Sequence, residues 1–490
     1  MKMSYSGRKL GQMLIAPAVV ALISLSLLFG YANGRMRAGE PLDLFAQGQN
    51  EYGKLQANPQ DNPKTLYSQA VTLLKQRYYG PPITEAKLRQ LTYDSIRGML
   101  LSLRDPFTSF LDPDEWSQFQ ATTTRGDFFG IGIILAVTQN QLYPSINEVI
   151  ENGPAEKVGL MAKDNIVAVD GISVAGKSSD DVVKMIKGPE GTKVRITVVR
   201  GKQKLNFTIV RARVIPPIVR YWMEDSKYKI GHIQLEEFNE QSMAQLNHAF
   251  AALQSQGMRA LVFDLRYNPG GLLDVAVQVA SVFIPKNSVP ALKNSVVYIH
   301  EGDGEEHARK LEQVDTPYKN RLPLVVLVND GSASASEIVT GSIKDYGAGT
   351  IMGERTYGKG CVQTLYPLDD GSCLRLTTAL YYPPKHYDIN YEQDENHNRI
   401  PGTGGLLPNI PIVQPPTWDS FTDKKDDTQL HAALDFLRDR LNGMTIPQST
   451  ASVDSIYQPQ NTKNTQLDIA AGIVPAPTPN LAAPASSTKQ

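Results

Sequence analysis

Apolar residues recur at helical spacing between Lys64 and Leu103: Leu66, Val71 and Leu74, then Leu88, Leu91, Ile96 and Leu100. RDPFTSFLDPDEW (Arg104–Trp116) closes this helical region, its prolines stopping the helices. From Gly126 to Arg200 the pattern shortens. GIGIIL and KVRITVV read as strands, VDG as a turn, and PAEKVGL and SDDVVKMIK as short helices, an order that predicts a compact domain. From Tyr228 strands and helices alternate: KIGHIQL, a helix over Gln241–Gln256, ALVFDL, a helix over Leu272–Ile284, then SVVYIH and LPLVVLV. Such alternation predicts a layered α/β domain. CVQTLYPL and CLRLTTALYY form a hairpin around Asp370-Gly371. TQLHAALDFLRDRL is a last amphipathic helix that docks back. Residues 446–490, rich in Pro, Ala, Ser, Thr, Gln and Asn, read as a disordered tail.

Within 490 residues there is room for two or three domains. A net charge of −1 gives no reason to expect a nucleic-acid partner. Lys2, Arg8 and Lys9 precede an uncharged segment, Leu14–Ala32, with Arg35 and Arg37 beyond it. That is either a cleavable export signal or a retained anchor within residues 1–40, and both place the rest outside the cytoplasm. The two cysteines, Cys361 and Cys373, either pair across the hairpin or stay as buried thiols. Histidine is scarce, and no pair has zinc-motif spacing.

VNDGSASASEIVTG (Val328–Gly341) joins a strand to a helix. Ser334 and Glu337 fit a capping box. A serine at a helix start also sits among free amides at the positive end of the dipole, which suits an oxyanion. DLRYNPGG (Asp264–Gly271) ends a strand of the same domain, and its paired glycines allow close backbone approach to a ligand. GERTYGKGCVQ places Lys359 between glycines, with Gln363 four residues on. A loop lysine is usually solvated, yet a lysine can replace histidine as the base of a serine.

The run from VNDGSASASE through GERTYGKGCVQ closely resembles the core of the carboxyl-terminal processing peptidases, also called tail-specific proteases. The likeness extends from about Leu66 to Leu441 and includes DPFTSFLDPDEW, FFGIGI, GPAEKVGL, DLRYNPGG, LTTALYYPP and DTQLHAAL. It implies a layered crotonase/Clp-protease-like core with an inserted PDZ domain: a helical region over 41–118, PDZ over 119–212 and peptidase over 213–445. It also implies Ser334 as nucleophile, Lys359 as general base and Gln363 as the residue orienting it. Backbone amides near Gly270 or Gly271 and at Ala335 would form the oxyanion hole, and Ser332 and Ser336 would serve packing and capping. If Ser334 is the nucleophile, it should aim away from the helix. FFGIGI, through Phe129, Gly130, Ile131 and Gly132, would hold a C-terminal carboxylate while the peptide adds a strand.

The function implied is a Ser-Lys endopeptidase, without cofactor or metal, that recognises protein C-termini and cuts nearby in exported proteins. Its partners are polypeptides with free C-termini, the membrane if the N-terminal segment is kept, and further copies of itself in a homo-oligomer. The alternatives are a catalytically silent PDZ scaffold, which would not need all of Ser334, Lys359 and Gln363, and a crotonase-like acyl-CoA enzyme, which an exported PDZ-bearing chain disfavours. Two departures from the family pattern bear on substrate preference. MAKDNI has Asn165 where a compact Gly-Asp turn is usual, and YYPPKHYDINYEQDENHNRIPGTGG carries a polar insert. The acidic residues of that insert offer oxygens for calcium, though a solvated loop is the commoner outcome.

Overall fold

The computed structural model describes residues 62–136, 142–318, 322–395, 398–415 and 425–470. The N-terminal stretch read as an export signal or anchor lies outside them, and among the described residues no helix is long and apolar enough to cross a membrane. The chain divides into two units, Met1–Gln90 and Leu91–Gln490. In the first, α1 (Pro63–Arg77) starts at Asn62, whose side chain accepts the Lys64 N–H, and buries none of its residues. Helix α2 is Glu85–Leu101.

The second unit opens with β1 (Ser109–Leu111) and α3 (Pro113–Phe119). Asp112 and Glu115 close a full capping box on α3. There follows a segment with its own apolar core, built on Ile131, Ile146, Ile166, Val182 and Ile196. Its strands are β2 (Phe128–Gly130), β3 (Ile133–Leu135), β4 (Ile146–Val149), β5 (Asn165–Val169), β6 (Ile172–Ser173), β7 (Lys193–Arg200), β8 (Gln203–Val210) and β9 (Ala212–Val214). Two helices, α4 (Pro154–Lys157) and α5 (Ser179–Ile186), complete it. At its base β2 and β9 pair antiparallel, Phe128 opposite Val214. The MAKDNI departure is accommodated locally. Lys163 takes a left-handed φ of 70°, and Asp164 accepts the Met161 N–H at 3.0 Å and pairs with Arg200 at 2.7 Å.

The main sheet has the order β10 (Val219–Asp225), β11 (Ile230–Leu235), β12 (Ala260–Asp264), β15 (Leu324–Val328), β16 (Thr350–Gly353), β19 (Ile410–Pro411). Only β10 is antiparallel to its neighbour. Strands β11, β12, β15 and β16 are buried along their whole length, which is why they read as continuous apolar runs. Alternate residues serve opposite faces. Ile233, Leu261, Phe263 and Val326 meet α6 (Ser242–Ser255), α7 (Leu273–Phe283) and α8 (Ala335–Tyr346). Ala260, Val262, Val325 and Leu327 meet α9 (Thr428–Leu441) and α10 (Ile446–Ala470). A second, antiparallel sheet runs β1, β18 (Cys373–Tyr382), β13 (Ser295–Glu301), β14 (Glu306–Lys310), with β17 (Cys361–Pro367) also on β18.

Helix α10 corrects the expectation of a disordered tail from residue 446. Val453 and Tyr457, one turn apart, are buried in the core under α9, and the Tyr457 hydroxyl donates to Asp435 at 2.8 Å. Asn461 caps the sheet edge, receiving the Val413 N–H and donating to the Pro411 carbonyl. Residues beyond 470 lie outside the described ones. Cys361 and Cys373 are buried free thiols. The register explains this: Cys373 faces Pro367 at the turn while Cys361 faces Leu380 at the far end of the hairpin.

Candidate active site

Strands β12 and β15 are parallel neighbours, so the loops leaving their C-terminal ends lie side by side. Two of the three serines staple these loops together. Ser332 Oγ donates to the Leu265 carbonyl at 2.8 Å, and Ser336 Oγ to the Asn268 carbonyl at 2.9 Å. The Asn268 carboxamide donates to Leu235 and accepts the Gly270 N–H. This folds the NPGG turn against Ser334, at a distance only glycine permits. A Cβ on Gly270 would stand 2.8 Å from the Ser334 Cβ, and one on Gly271 would stand 2.0 Å from the Phe238 carbonyl oxygen.

Ser334 has φ 55° and ψ −113°, a left-handed conformation that costs a non-glycine residue about 1–3 kcal/mol. A strained strand-to-helix turn of this kind exposes a serine hydroxyl. Ser334 and Glu337 hold capping-box positions, but the bond that forms is the Ser334 N–H to Glu337 carboxylate, at 2.9 Å; the serine side chain makes no cap hydrogen bond. Its hydroxyl is the one of the three left without a described partner.

Glu337 does more than close that box. Its Oε2 also accepts the Lys359 N–H at 2.9 Å, and its Oε1 accepts the Thr356 hydroxyl and the Gly358 N–H at 2.6 and 2.7 Å. One buried carboxylate therefore ties the Ser334 turn to the Lys359 loop. Burial pushes its carboxyl up, against those four donors. The sequence showed the box but not this reach to the second loop. Tyr381, also buried, places its hydroxyl between the Lys359 and Ser334 carbonyls, at 2.5 and 3.0 Å.

Ser334, Ala335, Gly270, Gly271, Lys359 and Gln363 line one cavity of about 360 Å³. Leu272, Ile338, Val362 and Leu365 give it apolar walls, and Glu237 and Arg375 are its other charged groups. Burial holds the Lys359 amine below the ordinary lysine range, overcoming Cys361, Glu337 and Asp105, which favour the charged form. The amine lies 4.8 Å from the centre of the Phe107 ring. Gln363 donates through Nε2 to Cys361 Sγ at 3.1 Å and Thr377 Oγ1 at 3.4 Å. No side-chain hydrogen bond joins Ser334, Lys359 and Gln363 among the described residues.

The oxyanion expectation narrows. The Gly270 N–H is committed to Asn268 Oδ1 at 2.9 Å, so Gly270 is withdrawn as a donor. Ala335 opens α8, where first-turn amides have no partner within the helix, and neither its N–H nor that of Gly271 has a described partner. At the other expected site, Phe129 is exposed, while the Gly132 and Ile131 carbonyls accept the Ile150 and Ala155 N–H groups. The Ile131 and Gly132 amides have no described partner. Among the described residues strand β3 pairs with β4 alone, and the Ser179 hydroxyl of α5 donates to the Ala136 carbonyl just past it. Among the described residues no group of three or more His, Cys, Asp or Glu side chains is placed to hold a metal.

Comparison with known proteins defines the class first. Residues 229–398 match peptidase family S41, and residues 145–200 match the PDZ domain. The carboxyl-terminal-processing protease of Synechocystis sp. is 31% identical over 397 residues, covering 80% of this chain and 86% of the relative. The carboxy-terminal-processing protease of Bartonella bacilliformis is 32% identical, covering 73% and 85%. A solved photosystem II D1 C-terminal processing protease is 31% identical, covering 71% of this chain and 86% of its own, with a TM-score of 0.38. The chain belongs to the carboxyl-terminal-processing proteases, serine peptidases of family S41 that carry a PDZ domain.

Proposed function

We propose that this chain is an endopeptidase of Ser-Lys type, in which Ser334 attacks the scissile carbonyl and Lys359 takes the hydroxyl proton. The negative charge on the carbonyl oxygen falls to the Gly271 and Ala335 amides. The Lys359 ammonium then hands its proton to the departing amine. The neutral amine then deprotonates a water that attacks the acyl carbon, and the ammonium returns that proton to Ser334 Oγ as the ester C–O bond breaks. Gln363 keeps its carboxamide oxygen without a described partner and can orient the amine without adding negative charge. The observation that carries this reading is a strained serine with an unclaimed hydroxyl, facing the same cavity as an amine that burial favours in its neutral form.

The PDZ domain selects the substrate. A C-terminal carboxylate sits on the Ile131 and Gly132 amides while the peptide adds a strand to β3 beside α5. The domain spans 119–212 and the peptidase follows from 213. The N-terminal segment exports the chain, cleaved or kept as an anchor, so that processing or degradation of exported proteins occurs outside the cytoplasm.

A fluorophosphonate probe tests the chemistry. It should label the wild type and leave Ser334→Ala and Lys359→Ala unlabelled while both remain folded. Lys359→Arg should be equally inactive, since a guanidinium stays charged. Substantial turnover by Lys359→Arg would send the search for a base elsewhere. Amidating a peptide's C-terminus should weaken its binding by about 1.5–3 kcal/mol. Equal affinity for the acid and the amide would remove the Ile131–Gly132 loop from recognition.

A further inference from the structure

The proposed chemistry makes no use of the segment Asp105–Thr108 or of the polar insert after β18, yet both close on Lys359. The Phe107 carbonyl accepts from Arg375 at 3.2 Å, Thr108 Oγ1 accepts the Thr377 N–H at 3.1 Å, and Asp105 accepts the Phe107 N–H at 2.9 Å. Held in this way, the Phe107 ring presents its face to the Lys359 amine, 4.8 Å away. Tyr391 of the insert meets Phe107 edge-on, with ring centres 6.3 Å apart. The insert also fixes the backbone on both sides of the lysine. The Tyr391 N–H donates to the Gly358 carbonyl at 3.0 Å, and Asn390 Oδ1 accepts the Gly360 N–H at 3.0 Å.

A general base becomes a cation when it does its work. Burial keeps a lysine neutral beforehand but penalises the ammonium that forms as the proton leaves Ser334. A carboxylate touching the amine would reverse the problem and keep it protonated from the start. An aromatic face lies between these extremes, since its quadrupole attracts a cation without a formal charge. We propose that Phe107, buttressed by Tyr391, is a positioning residue that holds the Lys359 amine and stabilises the ammonium formed on taking the Ser334 proton. The inference rests on Lys359 being the base. The charged and titratable groups facing that amine are Asp105, Glu337 and Cys361, which favour its cation, and Arg375, which opposes it; Glu237 lines the same cavity.

The test is the single-turnover acylation rate against pH, measured on the full chain with Phe107→Leu, Phe107→Tyr and 3,4,5-trifluorophenylalanine at position 107. The fluorinated ring keeps its shape and loses most of its quadrupole. Removing the ring face makes the cation less stable, so the lysine deprotonates at lower pH. In Phe107→Leu the ascending limb should move down by about half to one pH unit, while the plateau rate falls roughly 3- to 10-fold. The fluorinated protein should shift in the same direction, and Phe107→Tyr should keep the wild-type profile. Loss of packing alone lowers the plateau without moving the limb. An unmoved limb in the fluorinated protein overturns the proposal, and that protein decides the matter alone if Phe107→Leu does not fold. The base assignment fails separately, through an active Lys359→Arg. An inactive Lys359→Arg beside an unmoved limb keeps the base and removes the role of Phe107.

Discussion

Ser334 sits in a backbone conformation suited to glycine, and that is measurable. Ser334→Ala keeps the strain, whereas Ser334→Gly relieves it. The glycine variant should be the more stable of the two by about 1 kcal/mol in denaturant unfolding. Equal stabilities would mean the turn stores no strain. Glu237 offers a second test. Burial raises its carboxyl to about 7 from an ordinary value of 4.5. The folded protein therefore holds this proton more tightly than the unfolded chain does, and stability falls as pH rises from 4.5 through 7. Glu237→Gln should remove that loss. It should match the wild type at pH 4 and exceed it at pH 8 by about 1 kcal/mol, a figure reduced for the residue's partial exposure. A Gln variant that is no more stable at pH 8 would show the carboxylate to be well solvated.

Helix α10 is the element where composition misled. Its apolar residues are few, but Val453 and Tyr457 fall on one face, and that face meets a core built by β12, β15 and α9. Tyr457→Ala removes a buried ring and the bond to Asp435, and should cost about 3 kcal/mol by denaturant titration. A change under about 0.5 kcal/mol would mean that α10 is not docked in solution. The central strands were legible because burial on both faces makes them unbroken apolar runs, as in LPLVVLV. Strand β10, VRYWMED, was not: it pairs on one side only, is mostly half-buried, and mixes polar with apolar residues. The candidates Ser334, Lys359 and Gln363, which line one cavity, could be picked out because each lies in a short, unusual run. Phe107 and Tyr391 could not, since nothing local marks two aromatics that meet a lysine only through tertiary contacts.

At the scale of the molecule, recognition and chemistry are built on separate cores. The pairing of β2 with β9 brings the two ends of the segment that holds the PDZ match face to face, Gly130 opposite Ala212. From the peptidase side the whole domain therefore closes like a hairpin loop, and closure entropy grows only slowly with what the loop contains. Replacing residues 131–211 with a short turn should leave a folded peptidase that the fluorophosphonate still labels but that no longer prefers a free C-terminus. Loss of labelling in a folded protein would show that the site depends on the domain. The same joint bears on ancestry. Any domain whose two ends lie one strand spacing apart could be spliced there, so a lineage can change which proteins it trims by exchanging one cassette, with no alteration to the residues that cut.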